Sequence, residues 1–308
     1  MTREHILRRI EVGPADFVIN VSCSKHSWMN RDRELNKELR WWLRCRNLYI
    51  MESCEAMTAT LKKAIQGALG IFGLQLIRLP AGKSEYEPIW PSATYAPRNS
   101  APEFLSTYKL IQRHTLVDIY RCWELWTLVG QTQKRDGGIL EVGVWRGGTG
   151  ALMAKKALLT GNSNPVYLCD TFEGVVKAGW HDTNYKGGEH SDTSQNVVDN
   201  LLRTLDITNV RILKGVFPDE TAHLIEPGAR FRLCHIDVDV YQSAKDAMAW
   251  IWDRMVPGGL VVYDDYGFKA CEGITKYVNE QVTESDRLVL YNLNGHAIVI
   301  KTPTALLR

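Results

Sequence analysis

Between residues 138 and 282 the chain alternates short apolar runs with longer amphipathic ones, and few folds accept such a pattern. The apolar runs are GILEVGVW (138–145), VYLCD (166–170), NVRILKG (209–215), FRLCHIDVDVY (231–241) and GGLVVYDD (258–265). Between and after them lie ALMAKKALL, SQNVVDNLLRTL, AKDAMAWIWDRM and EGITKYVNEQV, each with helical spacing, and HTLVDIYRCWELWTLV (114–129) precedes them as a further helix. Runs apolar along their whole length must be buried on both faces, so the pattern predicts an α/β three-layer sandwich around a mostly parallel sheet. The tail departs from it: RLVLYNLNGHAIVIK (287–301) reads as two strands joined across Asn294 and Gly295, an antiparallel hairpin.

Composition limits the function classes. Thirty-seven basic residues against 35 acidic give a net charge of +2, which supplies no electrostatic basis for a nucleic-acid partner. The seven cysteines are odd in number, scattered and without C-x-x-C spacing, which argues against a disulfide framework or a zinc site and fits a reducing compartment. The first residues, MTREHILRRIEVGPADF, carry charges where a signal peptide has an apolar core, and the longest apolar stretch, residues 64–77, is too short to span a bilayer. A cytoplasmic protein is expected.

The chain divides unevenly. Residues 1–79 are expected to form a helical extension: Leu35, Leu39, Trp42 and Leu43 fall at helical spacing, and the apolar run 57–79 is flanked by Lys62, Lys63 and Arg78. The second segment would suit a helix lying in a membrane interface, or a core or homo-oligomer interface helix. Met57 could itself open a protein. Residues 80–102 hold five of the eleven prolines and read as an extended connector, leaving 103–308 as the main domain.

Carboxylates stand where apolar side chains are expected. Asp237 and Asp239 end the fourth strand, two apart and so on one face; Asp264 and Asp265 end the fifth. Open α/β sheets bind ligands at these strand ends. If the strands are neighbours, about 4.8 Å apart, up to four carboxylates converge. Such a cluster must be neutralised, and an all-oxygen donor set suits a hard divalent cation such as magnesium; the alternative is four separate, solvated acids at the strand ends. The first strand ends in EVGVWRGGTG, whose Gly143, Gly147, Gly148 and Gly150 lack the G-x-G-x-x-G spacing of a dinucleotide turn. With the terminal hairpin, this resembles a class I S-adenosylmethionine methyltransferase. Glu141 would then face the amino group and sulfonium of that cofactor, or form a strand-end salt bridge; Asp170 would take the ribose hydroxyls, or cap a loop.

Over residues 103–301 the sequence resembles the macrocin O-methyltransferase (TylF/MycF) family through ILEVGVWRGGTG, CDTFEG, YKGGEHSDTS, LKGVFPDE, HIDVDVYQS and GGLVVYDDYG. The resemblance implies a metal-dependent O-methyltransferase acting on a sugar-bearing small molecule. It places Asp237, Asp264 and Asp265 on the metal ligands, Asp239 on the general base, and Glu141, Gly143 and Asp170 on the cofactor site, with Gly148 in the same turn and Thr115 near the methionine end. The family motif has glycine where this chain has Val238, whose side chain should point away from the site.

The 23 residues 171–193 form a long insertion, expected to be a lid over the acceptor. His181 and His190 within it are candidates for proton transfer, or bystanders. His235 is expected to be a satisfied core residue; Trp145 and Arg146 would line the cofactor turn or pack; Phe217 and Asp219 lie where an adenine edge could rest. Two other classes compete: a nicotinamide-dependent oxidoreductase, which accounts only for the parallel sheet, and a non-catalytic scaffold docked through 57–79, which leaves the acids unexplained.

Overall fold

The computed structural model describes residues 95–292 and 294–303, together with three earlier strands, and divides the chain into compact units at Met1–Pro88 and Ile89–Arg308. In the first unit β1 (His5–Glu11), β2 (Phe17–Ser24) and β3 (Leu74–Arg78) pair antiparallel in that order. The expected helical extension over 1–79 therefore does not hold for these stretches: the end of the 57–79 run is a strand, and alternating, β-branched segments such as FVINVSCS favour pairing. The helix expected at 35–43 lies outside the described residues. Among the described residues no helix is long and apolar enough to cross a membrane.

The second unit begins with α1 (Pro102–Ile111) and α2 (Ile119–Gln131). The connector ends in a 3-10 turn at Pro97–Ser100, and Pro102 opens α1, because proline's missing N–H is no loss in a first helical turn. Helix α2 starts at Ile119 rather than at His114, since the Asp118 carboxylate caps it by accepting from Tyr120 N and Arg121 N.

The strands and helices that follow are β4 (Gly138–Val142), α3 (Gly148–Leu159), β5 (Val166–Asp170), α4 (Gln195–Thr204), β6 (Val210–Lys214), β7 (Phe231–Ile236), α5 (Tyr241–Trp252), β8 (Met255–Tyr263), α6 (Glu272–Gln281), β9 (Arg287–Tyr291) and β10 (Ala297–Lys301). They build a seven-stranded sheet of order β6-β5-β4-β7-β8-β10-β9. The strands β6, β5, β4, β7 and β8 run parallel to one another; β10 runs antiparallel to both β8 and β9. The predicted α/β sandwich and terminal hairpin are thus present. The hairpin loop is longer than a two-residue turn, since Tyr291 pairs with Ala297. The side chains of Asn292 and Asn294 bond the loop's own backbone and reach Glu124 on α2.

Strand alternation sorts the core into two layers. Ile139, Leu168, Leu233 and Val262 pack under α1 to α4, while Leu140, Tyr167, Cys234 and Val261 pack under α5 and α6. By the same parity Glu141 and His235, partners across the β4–β7 ladder, project to the first layer, where Glu141 lies against Gly150 of α3. The loops after β4, β5, β7 and β8 all leave the sheet at one end, and the site lies there.

Candidate active site

A cavity of about 320 Å³ opens at these strand ends, within the range of small-molecule sites. Its floor is the β4–α3 turn. Gly143 adopts φ 84, and a Cβ there would stand 1.7 Å from the Asp237 carbonyl oxygen, so only glycine lets the two loops approach. Gly148 does not line the cavity; it opens α3, donates to His114 O at 2.9 Å, and leaves room for Thr115, which does line it. Asp170 lines the cavity and also braces the turn: Oδ2 accepts from Val144 N (2.6 Å) and Trp145 N (2.8 Å), and Oδ1 from Phe172 N (2.6 Å). Trp145 lines the cavity, and Arg146 ties the turn to Asp192 beyond it.

Glu141, expected at the cofactor, is fully buried and absent from the cavity wall. Its Oε1 meets His235 Nδ1 at 2.9 Å, while Oε2 has no hydrogen-bond partner and lies against Gly150. Strand parity explains the placement: Glu141 is the last but one residue of β4 and projects into the helical layer, not off the strand end.

The four aspartates converge as anticipated, though by a different local structure. Strand β7 stops at Ile236, so Asp237, Val238 and Asp239 belong to a loop in which Asp239 takes the left-handed φ of 63°. Alternation no longer governs there. Asp237 and Asp239 both face the cavity, and so does Val238, contrary to the orientation a continuing strand would give it. Carboxylate oxygens of Asp237, Asp264 and Asp265 lie within 4.8 Å of one another. Burial, reinforced by the neighbouring carboxylates, pushes the Asp237 and Asp265 carboxyls well above their usual range, and Asp265 Oδ2 is sealed from solvent without a partner.

Asp264 behaves oppositely. Burial would raise it, but hydrogen bonds from His235 and His296 and the charge of Arg121 hold it below the usual carboxylate range. Its Oδ1 meets His296 Nε2 at 2.8 Å and His235 Nε2 at 3.4 Å, and the Arg121 guanidinium bonds Oδ2. His235, which burial alone would discharge, is pushed up to about 10 by Asp264 and Glu141. It is satisfied within the core, as its sequence position suggested.

The 171–193 loop covers the cavity with Thr171, Gly174, Val175, Val176, Tyr185 and His190. Buried Asp182 anchors it, accepting from Tyr241 N at the start of α5. The Tyr185 hydroxyl reaches Asp239 Oδ1, and His190 Nε2 lies 3.9 Å from Asp239 Oδ2. His181 instead packs against Tyr241 with the rings tilted at 40°, outside the wall. Phe217 lines the cavity, while Asp219 pairs with Lys177 away from it.

Arg121, Tyr185, Cys271 and His296 escaped the sequence reading. For Arg121 a signal existed: it precedes Cys122 on the buried face of α2, where an arginine needs a buried partner. For the others, only the fold brings them to the acids.

A model of the family described as Macrocin-O-methyltransferase (TylF) matches residues 103–289. The chain is 33% identical over 174 residues to the 8-demethyl-8-(2,3-dimethoxy-alpha-L-rhamnosyl)-tetracenomycin-C 4'-O-methyltransferase of Streptomyces olivaceus, covering 51% of this chain and 64%, less than two thirds, of that relative. It is 27% identical over 201 residues to the mycinamicin III 3''-O-methyltransferase of Micromonospora griseorubida, covering 58% and 77% respectively. Among solved structures, the O-methyltransferase NovP superposes with a TM-score of 0.53 at 24% identity, over 62% of this chain and 83% of NovP. The calicheamicin methyltransferase CalS11 gives 0.53 at 14%, over 71% and 99%. At those identities the structural likeness speaks for the fold alone, whereas the family match spans more than half the sequence: the chain belongs to the macrocin O-methyltransferase (TylF) family.

Proposed function

We propose that the chain is an S-adenosylmethionine- and magnesium-dependent O-methyltransferase acting on a hydroxyl of a sugar or glycosylated natural product. One observation carries this reading: three carboxylates that can share a cation stand beside a fourth, Asp239, at the end of a cavity floored by a glycine turn. Family membership and the name of the Streptomyces olivaceus relative, which carries a rhamnosyl group, support the substrate class. The antiparallel β10 counts against a nicotinamide-dependent oxidoreductase, and the carboxylate cluster against a scaffold.

The residues fit the groups they would hold. Asp237, Asp264 and Asp265 form an all-oxygen donor set, and the orphaned Asp265 Oδ2 and the raised Asp237 and Asp265 carboxyls mark acids that retain protons where a cation would favour their ionised form. Gly143, Asp170 and Thr115 would line the cofactor's place, with Gly148 and Glu141 supporting the turn from beneath. When bound, S-adenosylmethionine supplies an electrophilic methyl on a sulfonium, and the divalent cation supplies Lewis acidity at the acceptor oxygen. The protein's share is orientation and proton removal. Asp239 Oδ1 is engaged by Tyr185, so Oδ2, the oxygen facing His190, is the atom that takes the hydroxyl proton. Burial raises the Asp239 carboxyl, which makes it a stronger base than an exposed aspartate. The 171–193 loop excludes water from the reacting atoms.

Calorimetry with S-adenosylhomocysteine, with and without Mg²⁺, tests cofactor and metal; a panel of sugar-bearing acceptors read for methyl gain by mass spectrometry tests the reaction. Asp239→Asn is expected to abolish turnover with cofactor affinity intact, and Asp264→Ala to lose metal dependence. Equal loss of S-adenosylhomocysteine binding in both variants would sink the assigned roles.

A further inference from the structure

Four polar side chains form a row across four adjacent strands, buried in a mostly apolar layer where Arg121 of α2 also reaches Asp264. Glu141 on β4, His235 on β7, Asp264 after β8 and His296 before β10 project to the same side of the sheet, because Val142, Ile236, Tyr263 and Ala297, one residue away from each, belong to the opposite core layer. The row is continuous: Glu141 Oε1 to His235 Nδ1 (2.9 Å), His235 Nε2 to Asp264 Oδ1 (3.4 Å), Asp264 Oδ1 to His296 Nε2 (2.8 Å), and His296 Nδ1 to Glu124 Oε2 (2.5 Å). Both imidazoles are 0% exposed.

A buried carboxylate is held in a fixed pose only if its lone pairs are engaged, and an unpaired one is costly enough to protonate or rotate. Here two imidazoles converge on one oxygen of Asp264, Oδ1, while the Arg121 guanidinium bonds the other, Oδ2. Each ring is oriented by a second carboxylate on its far nitrogen, as histidine rings are oriented in metal sites by outer carboxylates. We infer that His235 and His296 are positioning residues for Asp264, clamping its Oδ1 so that the carboxylate is presented to a divalent cation shared with Asp237 and Asp265. The clamp rests on the metal reading proposed above, and it assigns Glu141 and Glu124 to orienting the rings. Nothing in it requires either histidine to touch cation, cofactor or acceptor.

The two ring nitrogens can be separated by substitution. A glutamine amide reaches about as far as Nε2 and can donate to Asp264, whereas an asparagine amide reaches only the place of Nδ1. His296→Gln, His296→Asn, His235→Gln and His235→Asn are therefore compared, in the full chain, by titration with Mn²⁺ alone followed by electron paramagnetic resonance of the free ion. Melting temperature and S-adenosylhomocysteine affinity are measured alongside. The expectation is a rise of about 10–100-fold in the Mn²⁺ dissociation constant for the asparagine variants, most of which glutamine restores, with S-adenosylhomocysteine affinity unchanged. Wild-type-like Mn²⁺ binding in the asparagine variants, with or without a lower melting temperature, overturns the clamp and leaves the metal reading standing. Absence of Mn²⁺ binding by the wild-type chain overturns the metal reading and the clamp together.

Discussion

The phenol of Tyr185 donates a 2.7 Å hydrogen bond to Oδ1 of Asp239, joining the loop after β5 to the loop after β7 at the proposed base. Burial, together with the Asp239 charge, raises the Tyr185 hydroxyl further above neutral pH, so it stays a donor. Asp239 needs such a tether. Its left-handed φ of 63° is sparsely populated by residues with a Cβ, costs on the order of 1–3 kcal/mol, and persists only where neighbours hold it.

Tyr185→Phe removes that donor and little else. A hydrogen bond to a charged group contributes about 1.5–3 kcal/mol, so kcat is expected to fall by roughly one to two orders of magnitude. S-adenosylhomocysteine affinity should not change, because Tyr185 bonds Asp239 and not the glycine turn. Steady-state kinetics and calorimetry on the variant check this; an undiminished kcat would release Tyr185 from any part in setting the base.

The pH dependence follows from the same residue. Burial raises the Asp239 carboxyl, and the Tyr185 bond and His190 only partly offset this. A base works deprotonated, so kcat/KM is lost as pH falls through the raised value, at higher pH than an ordinary aspartate near about 4 would give. Since the Tyr185 bond favours the ionised form, Tyr185→Phe should move the acid limb higher still. An acid limb unmoved, or shifted downward, in the variant would contradict that coupling.

Much of the site was legible because period-2 alternation and strand-end position are local properties. VYLCD became a strand with the boundaries its run implies, GILEV and FRLCHI became strands that begin with their runs and end before them, and Asp170, Asp237 and Asp264 arrived at one end of one sheet. What stayed hidden is long-range. The contact between Arg121 and Asp264 joins residues 143 positions apart, and the His296–Glu124 contact joins residues 172 apart. Glu141 misled because its place before the glycines suggests a ligand contact, whereas strand parity turns it into the helical layer against His235. Val238 misled because β7 ends at Ile236, whereas the apolar run continues to Tyr241.

Asp265→Asn should stabilise the metal-free protein. The wild-type carboxyl is raised by burial and by Asp239 and Asp264, so the folded state holds its proton more tightly than the unfolded chain does. Stability from this group is present below the unfolded carboxylate value and is lost as pH rises through the folded one. An amide escapes that loss. At pH 8 the variant should melt about 2–4 °C higher, the equivalent of roughly 1 kcal/mol at this size, with the gain vanishing in acid. Added Mg²⁺ should raise the melting temperature of the wild type more than that of the variant. A variant less stable than wild type at pH 8 without metal would refute the account.

Gly143→Ala tests the cavity floor. The φ of 84° is unfavourable for alanine, and its Cβ would stand 1.7 Å from the Asp237 carbonyl, so the loops after β4 and β7 must separate. Loss of S-adenosylhomocysteine binding by more than about tenfold is expected, as an ångström-scale displacement at a site commonly costs far more. Gly161→Ala is the control: its φ is 72°, but nothing lies within 4 Å, so only the backbone cost of about 1 kcal/mol applies. Equal behaviour of the two variants would show that the steric contact is unimportant.

Arg121→Leu probes the charge that balances Asp264. Arg121 is 8% exposed, and its guanidinium bonds Asp264 Oδ2, bonds Asp118 Oδ2 at 2.8 Å, and lies 4.9 Å from the Phe268 ring centre. Removing it leaves Asp264, 2% exposed, to the two histidines. Breaking one partner from a buried ion pair typically destabilises by about 3–5 kcal/mol, whereas replacing both partners with apolar groups is often neutral. Urea denaturation of Arg121→Leu is therefore expected to show a loss in that range, and the double variant Arg121→Leu/Asp264→Leu to recover part of it. The recovery should be incomplete, because His235 and His296 would then each lose the carboxylate that their Nε2 atoms face. A single variant that loses less than about 1 kcal/mol would mean that the histidine clamp alone neutralises Asp264, and that Arg121 serves the cavity wall instead.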